Sequence, residues 1–281
     1  MKKLIIAKSK NLENSKYVFL GIPTDLGAKS QRKGRIKAPD KIRELSEDWF
    51  IPLKGKLDEN KIYDAGNLKL NPKDIFKNIE SIKNVTQDYF KKGKTLIVQG
   101  GDCSIKYGIL SGLNELNKKI SVVYIDSHPD LVVADTPYYG SVMGDCLKLK
   151  NIDFPKSVFV GIRETEEKEM KIIRDKKMTF FTPIDFKEKS VDEIFKIIKQ
   201  KTKGNIVYIA LDIDSVDPSM APAVGCITPG GLSTTEIILL IDKLKTLNPV
   251  GLDITEFIPQ YDVNDITGKL IYRIIHEFIA R

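Results

Sequence analysis

The sequence Asp-Ser-His-Pro-Asp, which begins at Asp126, alternates side chains of the metal-ligand type with other residues. Alternate residues of an extended segment lie on the same face, so the carboxylates of Asp126 and Asp130 and the imidazole of His128 would form one wall of a site. The same spacing recurs in the pair Asp212 and Asp214. These five residues are therefore candidate metal ligands.

Charge repulsion favours metal binding at these positions. Four carboxylates that meet in one cleft cannot all stay ionised unless cations neutralise them. Divalent cations meet that need, and a set of oxygen ligands with one imidazole suits Mn²⁺. A single Asp at the end of a strand is also common as a helix cap or a turn former. The metal prediction therefore depends on the joint occurrence of the two spaced groups.

Short apolar runs bounded by Gly, Pro or charged residues predict strands that are buried on both faces. They cover residues 17–22, 95–99, 121–125, 157–161, 206–211 and 250–254. Amphipathic segments between and after them predict helices. One opens at Asn71-Pro72, another has the capping-box pair Ser233 and Glu236, and the last carries Ile271, Ile274, Ile275 and Phe278 on one face.

The polar clusters follow predicted strands, at residues 100–104, 126–130 and 212–218. In an open α/β sheet, loops at the carboxyl ends of the strands converge on ligands. Alternation of strands and helices predicts an α/β fold, a single-domain three-layer α/β/α arrangement with a mostly parallel central sheet. Since no linker-like segment divides the chain, residues 1–281 are predicted to form one domain.

Composition narrows the class of protein. The chain has 45 Lys and Arg against 38 Asp and Glu, a net charge of +7. Basic and acidic residues are mixed, and the basic run 29–37 has no aromatic residue to stack on bases, so a solvated face is favoured over nucleic-acid binding. The apolar runs are too short to cross a bilayer or to form the core of a signal peptide. This predicts a cytoplasmic protein without membrane contact. The widely spaced Cys103, Cys146 and Cys226 indicate no disulfide framework, and the last two are interpreted as packing residues.

These motifs together resemble those of the ureohydrolases, the arginase/agmatinase superfamily of dinuclear-manganese amidinohydrolases. The chain matches the GGDxS motif at 100–104, the DxHxD motif at 126–130 and the long signature ALDIDSVDPSMAP at 210–222. Matches at 19–25 and 251–259 extend the resemblance over nearly the whole chain. Tyr261-Asp262 and the sequence at 161–163 are closer to agmatinases than to arginases. The resemblance implies an arginase-like fold and a homo-oligomer, a trimer or a hexamer.

The resemblance also implies two metal positions. His128 and Asp214 would complete one position and Asp130 the other, while Asp126 and Asp212 would bridge the two ions. Two divalent cations, with Mn²⁺ as the expected metal, lower the pKa of bound water from about 16 to about 7.

A small guanidino compound is the substrate that the resemblance implies. Glu256 would bind its guanidinium group, and Asp130 would accept a hydrogen bond from the attacking hydroxide. Attack on the guanidinium carbon would release urea and an amine. Agmatine, which gives putrescine, is the expected substrate, and arginine or another guanidino compound is the alternative.

Two positions depart from the family pattern. Cys103 stands where the family has a histidine ligand; as a thiolate ligand it would favour Zn²⁺ or Fe²⁺, and otherwise it would be a buried, inert thiol. Met143 stands where the family has a histidine that moves protons or contacts substrate, and Met cannot act as an acid or base. His276 is predicted to lie at the surface of the last helix. A catalytically impaired homologue with one metal or none, serving a structural or regulatory role, is therefore an alternative hypothesis.

Overall fold

Eight parallel strands form one sheet in the computed structural model, which describes residues 2–47, 52 and 55–280. The strands are β1 Tyr17–Ile22, β2 Ile62–Asn67, β3 Thr95–Gly100, β4 Ile120–Ile125, β5 Val158–Val160, β6 Thr179–Phe181, β7 Ile206–Asp212 and β8 Gly251–Thr255. Their order across the sheet is β2-β1-β3-β8-β7-β4-β5-β6. All paired neighbours run parallel, in agreement with the predicted parallel sheet.

Helices cover both faces of the sheet. They are α1 Ala38–Leu45, α2 Ile75–Lys91, α3 Ile105–Asn114, α4 Val142–Cys146, α5 Glu167–Asp175, α6 Asp185–Glu188, α7 Val191–Lys201, α8 Thr234–Leu244 and α9 Ile266–Ile279. Apolar residues of α1, α7, α8 and α9 belong to one core, and those of α2 to α5 belong to the other. Side chains of β4 alternate between the two cores, with Val123 and Ile125 in the first and Val122 and Tyr124 in the second. The three-layer prediction is thereby confirmed.

The six predicted strands are all present, whereas β2 and β6 were missed. Both are edge strands of the sheet. The sequence of β2 is partly polar and β6 has only three residues, so neither shows the apolar run of a strand buried on both faces.

Two predictions about helices need correction. The helix predicted to open at Asn71-Pro72 begins at Ile75, because the Asp74 carboxylate caps it by accepting the Lys77 N–H at 3.0 Å. His276 lies inside the protein, 2 % exposed, because α9 packs against both α1 and α8 and is buried on almost every side. Among the described residues, no helix has the length and apolar character needed to span a membrane.

Candidate active site

The candidate residues lie at the carboxyl ends of four adjacent strands, β3, β8, β7 and β4. Cys103 follows β3 and Glu256 follows β8. Asp212 ends β7 and Asp214 comes two residues later, while the segment that starts at Asp126 follows β4. Parallel pairing of the four strands places these ends side by side, as expected for a ligand site of an open α/β sheet.

The ligand-type atoms of these residues form one continuous cluster. Four overlapping sets of three side chains each have ligand atoms within 4.8 Å of one another. The sets are Cys103 with Asp126 and Asp130; Cys103 with Asp212 and Glu256; Asp126 with Asp212 and Asp214; and His128 with Asp214 and Cys226. The cluster thus brings together every residue proposed from the sequence as a ligand. It also includes Cys226, which the sequence analysis interpreted as a packing residue.

Two of the site residues adopt backbone conformations that are rare for residues other than glycine. Asp130 has φ +50° and Glu256 has φ +68°. The Asp130 carbonyl accepts the N–H groups of Met143 and Gly144 at 2.9 and 3.0 Å, and the Glu256 N–H donates to the Gly101 carbonyl at 2.9 Å. Such conformations cost about 1–3 kcal/mol each and concentrate at functional sites. The fold therefore holds both carboxylates against a local backbone preference.

Short hydrogen bonds orient the carboxylates of the cluster. Asp126 Oδ1 accepts the His128 N–H at 2.8 Å, and Asp212 Oδ1 accepts the Asp214 N–H at 2.8 Å. Asp214 Oδ1 accepts both the N–H and the hydroxyl of Ser127, at 3.2 and 2.8 Å. Asp126 Oδ2 is buried and has no hydrogen-bond partner among the residues that the structure describes. An unpaired buried carboxylate oxygen of this kind fits a metal ion.

The pKa shifts of three aspartates reflect their burial among other carboxylates. Burial raises the pKa of Asp126, Asp130 and Asp212, and the nearby carboxylates raise it further. Their exposed fractions are 1 %, 4 % and 3 %. Without cations burial and mutual repulsion favour the protonated forms, whereas bound cations would stabilise the ionised forms that act as ligands. The donor set and its electrostatics therefore fit a divalent metal centre.

His128 stands between two carboxylates at one end of the cluster. Its Nδ1 lies 3.4 Å from Asp126 Oδ1 and 3.5 Å from Asp214 Oδ2, and its Nε2 lies 3.2 Å from Glu164 Oε2. Burial alone would lower the pKa of the imidazole, but the carboxylates of Asp214 and Asp126 outweigh it and raise the value to about 12. A metal ion bound at Nδ1 would replace that proton.

Cys103 is buried among acidic groups. Its Sγ lies 2.9 Å from Asp212 Oδ2 and 3.0 Å from Thr255 Oγ1, and the residue is 1 % exposed. Burial, with the Asp212 charge, raises the pKa of this thiol well above its ordinary value. Lys106, one helical turn later, forms a fully buried ion pair with Asp253 at 2.6 Å and opposes that rise. The geometry is compatible with a thiolate ligand and with an inert thiol.

Glu256 has a partner that the sequence analysis missed. Its Oε1 accepts the Cys103 N–H at 3.0 Å, and its Oε2 accepts Nε–H of Arg35, a fully buried residue. Burial raises the pKa of Glu256 to about 7, although Arg35 lowers it. A side chain at Gly225 would collide with the guanidinium, because a Cβ there would lie 1.8 Å from Arg35 Nη2. Arg35 belongs to the basic run 29–37, whose interpretation as a solvated face is wrong at this position.

Met143 and Tyr124 flank Asp130 in different ways. The Met143 side chain is fully buried in an apolar core, and its backbone N–H donates to the Asp130 carbonyl. The Tyr124 hydroxyl donates a hydrogen bond to Asp130 Oδ2. Tyr124 lies in a strand of almost continuous apolar character, so this contact could not be predicted from the sequence.

Comparison with known proteins identifies the family. The family model described as "Arginase family" matches residues 15–280. The agmatinase of Neisseria meningitidis serogroup C is 30% identical over 263 residues, covering 90% of this chain and 82% of the relative. The proclavaminate amidinohydrolase of Streptomyces clavuligerus is 30% identical over 275 residues, covering 93% and 86%.

A solved structure agrees with the sequence comparisons. The agmatine ureohydrolase of Thermoplasma volcanium superimposes with a TM-score of 0.86 at 30% identity, covering 99% of this chain and 93% of that protein. Its similarity extends over all four strands that carry the candidate site. The chain thus belongs to the arginase family and is agmatinase-like, a hydrolase type that acts on amidine C–N bonds.

Proposed function

We propose that this protein hydrolyses a guanidino compound to urea and an amine at the cluster around Asp126 and Asp212, and that agmatine is its substrate. The observation that carries the proposal is the convergence of ionisable ligand-type side chains from four adjacent strand ends, where one buried oxygen of Asp126 has no hydrogen-bond partner among the described residues. Similarity to an agmatinase and to an agmatine ureohydrolase supports it.

We propose two divalent cations as the cofactor, with Mn²⁺ as the first candidate. Asp126 and Asp212 would contact both ions, His128 and Asp214 would hold one, and Asp130 would hold the other. When bound, the cations supply a water nucleophile at neutral pH and neutralise the carboxylates. Zn²⁺ or Fe²⁺ becomes the better candidate if the sulfur of Cys103 is a ligand.

Several residues of the protein would bind the substrate or orient the groups that act on it. Glu256 would bind the guanidinium as a carboxylate. A carboxylate accepts about four hydrogen bonds, and Cys103 N–H and Arg35 Nε–H use two. The buried Arg35 charge favours the ionised form of Glu256, which is needed to bind a cation. The Tyr124 hydroxyl would hold Asp130 in place to accept a proton from the attacking water.

The guanidino class has broader support than agmatine itself. The agmatinase and the proclavaminate amidinohydrolase are each 30% identical to this chain, so overall similarity does not separate their substrates. Arginine and other guanidino compounds are therefore tested beside agmatine. Urea release from each compound is measured with Mn²⁺, Fe²⁺, Zn²⁺, Co²⁺ and Ni²⁺. Asp126→Asn, which keeps the shape of the side chain, is the matched inactive control. If the wild-type protein releases no urea with any combination of compound and metal, the proposal is contradicted.

A second candidate function is a catalytically impaired homologue that serves as a structural or regulatory protein. Met143 supports it, because its buried thioether offers no acid or base beside Asp130. The chain has two histidines, and the one outside the cluster, His276, is buried in α9. Metal analysis of the purified protein separates the candidates. Two ions per chain support the enzyme, and one or none supports the impaired homologue.

We further propose a homo-oligomer, a trimer or a hexamer, in a reducing compartment such as the cytoplasm. Cys103, Cys146 and Cys226 are all free thiols, which suits such a compartment. Light scattering coupled to size-exclusion chromatography measures the oligomeric state directly.

A further inference from the structure

Cys226 lies beside the metal position proposed for His128 and Asp214. The ligand atoms of the three side chains lie within 4.8 Å of one another, and Cys226 is half-buried. Cys226 belongs to the segment 217–231, which follows β7. Nothing in the local sequence distinguishes it from a packing residue, since His128 follows β4 and Asp214 lies twelve positions earlier in the chain.

Arg163 ties this segment to the backbone of Asp214. Its guanidinium donates to the Thr228 carbonyl through Nε at 3.0 Å and through Nη2 at 2.7 Å. The same Nη2 donates to the Asp214 carbonyl at 2.8 Å. Because Thr228 is two residues from Cys226, these bonds hold the backbone near Cys226 close to the backbone of Asp214.

Glu164 ties the same segment to His128. Its Oε2 accepts the Thr228 hydroxyl at 2.5 Å and lies 3.2 Å from His128 Nε2. On the other side of Cys226, the Ala223 carbonyl accepts the Ile258 N–H at 2.7 Å. With Glu164 at Nε2, the other ring nitrogen, Nδ1, faces Asp126 and Asp214, and it also lies 2.9 Å from the Ser127 hydroxyl. Thiol, imidazole and carboxylate are therefore positioned by the fold before any ion binds, as a metal site requires.

A second observation indicates that a cation belongs among these groups. Asp126 Oδ2 is buried without a hydrogen-bond partner in the described part of the chain, and the other oxygen of Asp126 lies 3.4 Å from His128 Nδ1. Asp126 also shares a set of converging ligand atoms with Asp214. Asp214 is thus shared between the set that contains Asp126 and the set that contains Cys226, so a cation that satisfies the Asp126 oxygen would lie close to the imidazole and to this thiol.

We propose that Cys226 is a sulfur ligand of the metal ion held by His128 and Asp214. This proposal rests on the metal centre of the proposed function. A sulfur ligand at this position would favour Zn²⁺, Fe²⁺ or Co²⁺ over Mn²⁺ there. If Cys103, which lies beside Asp126 and Asp130, is also a ligand, each of the two metal positions has one cysteine.

Absorption of the Co²⁺-loaded protein tests the proposal without an activity assay. Co²⁺ bound to thiolate absorbs in the near ultraviolet by charge transfer from sulfur, whereas Co²⁺ bound only to oxygen and nitrogen does not. Wild-type protein, Cys226→Ser, Cys226→Ala and the control Cys146→Ala are compared at measured metal content. Cys146 is a suitable control because it is fully buried in α4 and belongs to none of the converging sets.

Both Cys226 variants are expected to lose the part of the charge-transfer band that belongs to this site, while Cys146→Ala keeps the whole band. The affinity of the His128 position for Co²⁺ should fall by at least the roughly 10- to 100-fold that loss of an outer-shell partner costs. An unchanged band per bound ion in both Cys226 variants would overturn the proposal and leave the metal centre intact. If the wild-type protein binds no Co²⁺ at all, the metal centre is wrong and this proposal falls with it.

Discussion

Replacing Arg35 by Met tests whether the buried guanidinium keeps Glu256 ionised. Met has a similar length but no charge. The Arg35 side chain is 0% exposed and that of Glu256 is 6% exposed, so the pair is shielded from water. Breaking a buried ion pair by removing one partner costs about 3–5 kcal/mol. At about 2 °C per kcal/mol for a chain of this size, the melting temperature should fall by roughly 6–10 °C.

The same substitution should weaken the binding of a cationic substrate. Burial already raises the pKa of Glu256 to about 7 with Arg35 present, so without Arg35 its pKa rises further and the neutral carboxyl is favoured at pH 7. A charge-assisted hydrogen bond contributes about 1.5–3 kcal/mol. Its loss corresponds to an approximately 10- to 150-fold lower kcat/KM at neutral pH. The acidic limb of the pH profile should move to higher pH.

Urea release as a function of pH and thermal unfolding are the assays for Arg35→Met. Arg35→Lys is the matched control, because it keeps the charge and should leave the acidic limb near its wild-type position. The double variant Arg35→Met/Glu256→Gln should lose less stability than the sum of the single changes, since the uncompensated charge is gone. A higher kcat/KM in Arg35→Met would refute the reasoning, because Arg35 would then compete with the substrate for Glu256.

Three further predictions concern the metal cluster and its surroundings. Cys103→His should raise the affinity for Mn²⁺ relative to Zn²⁺, measured by competitive metal titration; an unchanged ratio would indicate that position 103 does not touch the ion. The metal-free protein should lose thermal stability as pH rises from about 4.5 through about 7. Glu256 and Asp212 have folded-state pKa values above their unfolded values, so they must ionise while buried. Added metal should abolish this trend, and a stability that does not change with pH in the metal-free protein would contradict the prediction. Lys106→Met should cost about 3–5 kcal/mol in urea unfolding by leaving Asp253 buried and unpaired, and a loss below about 1 kcal/mol would show that Asp253 is neutral.

The fold could be predicted where the sequence pattern was strong and local. Central strands such as β4 and β7 are buried on both faces, so their apolar runs stand out between polar neighbours. The capping box of Ser233 and Glu236 similarly marked the start of α8. The edge strands gave no such pattern. The helical spacing suggested that the face of α9 with His276 was open to solvent. His276 is buried because a second helix packs over that face.

Some residues of the candidate site could likewise be predicted from the sequence, and others could not. The spaced ligands from Asp126 onward follow a strand directly, and the topology brings them to one edge. The contributions of Arg35 and Cys226 come from segments far from β4 in sequence. Arg35 reaches Glu256 across 221 positions. A basic residue in a basic run and an isolated cysteine in a loop have no local signature, so only the folded structure reveals their contacts.

Anomalous scattering from crystals grown with a divalent metal tests the central claim most directly. Data collected on both sides of the absorption edges of Mn, Fe and Zn report the number and the identity of bound ions together. The account predicts two anomalous peaks in the cleft between Asp126 and Asp212, one of them next to His128 and Asp214. Crystals of metal-loaded protein with no peak between these carboxylates would contradict it.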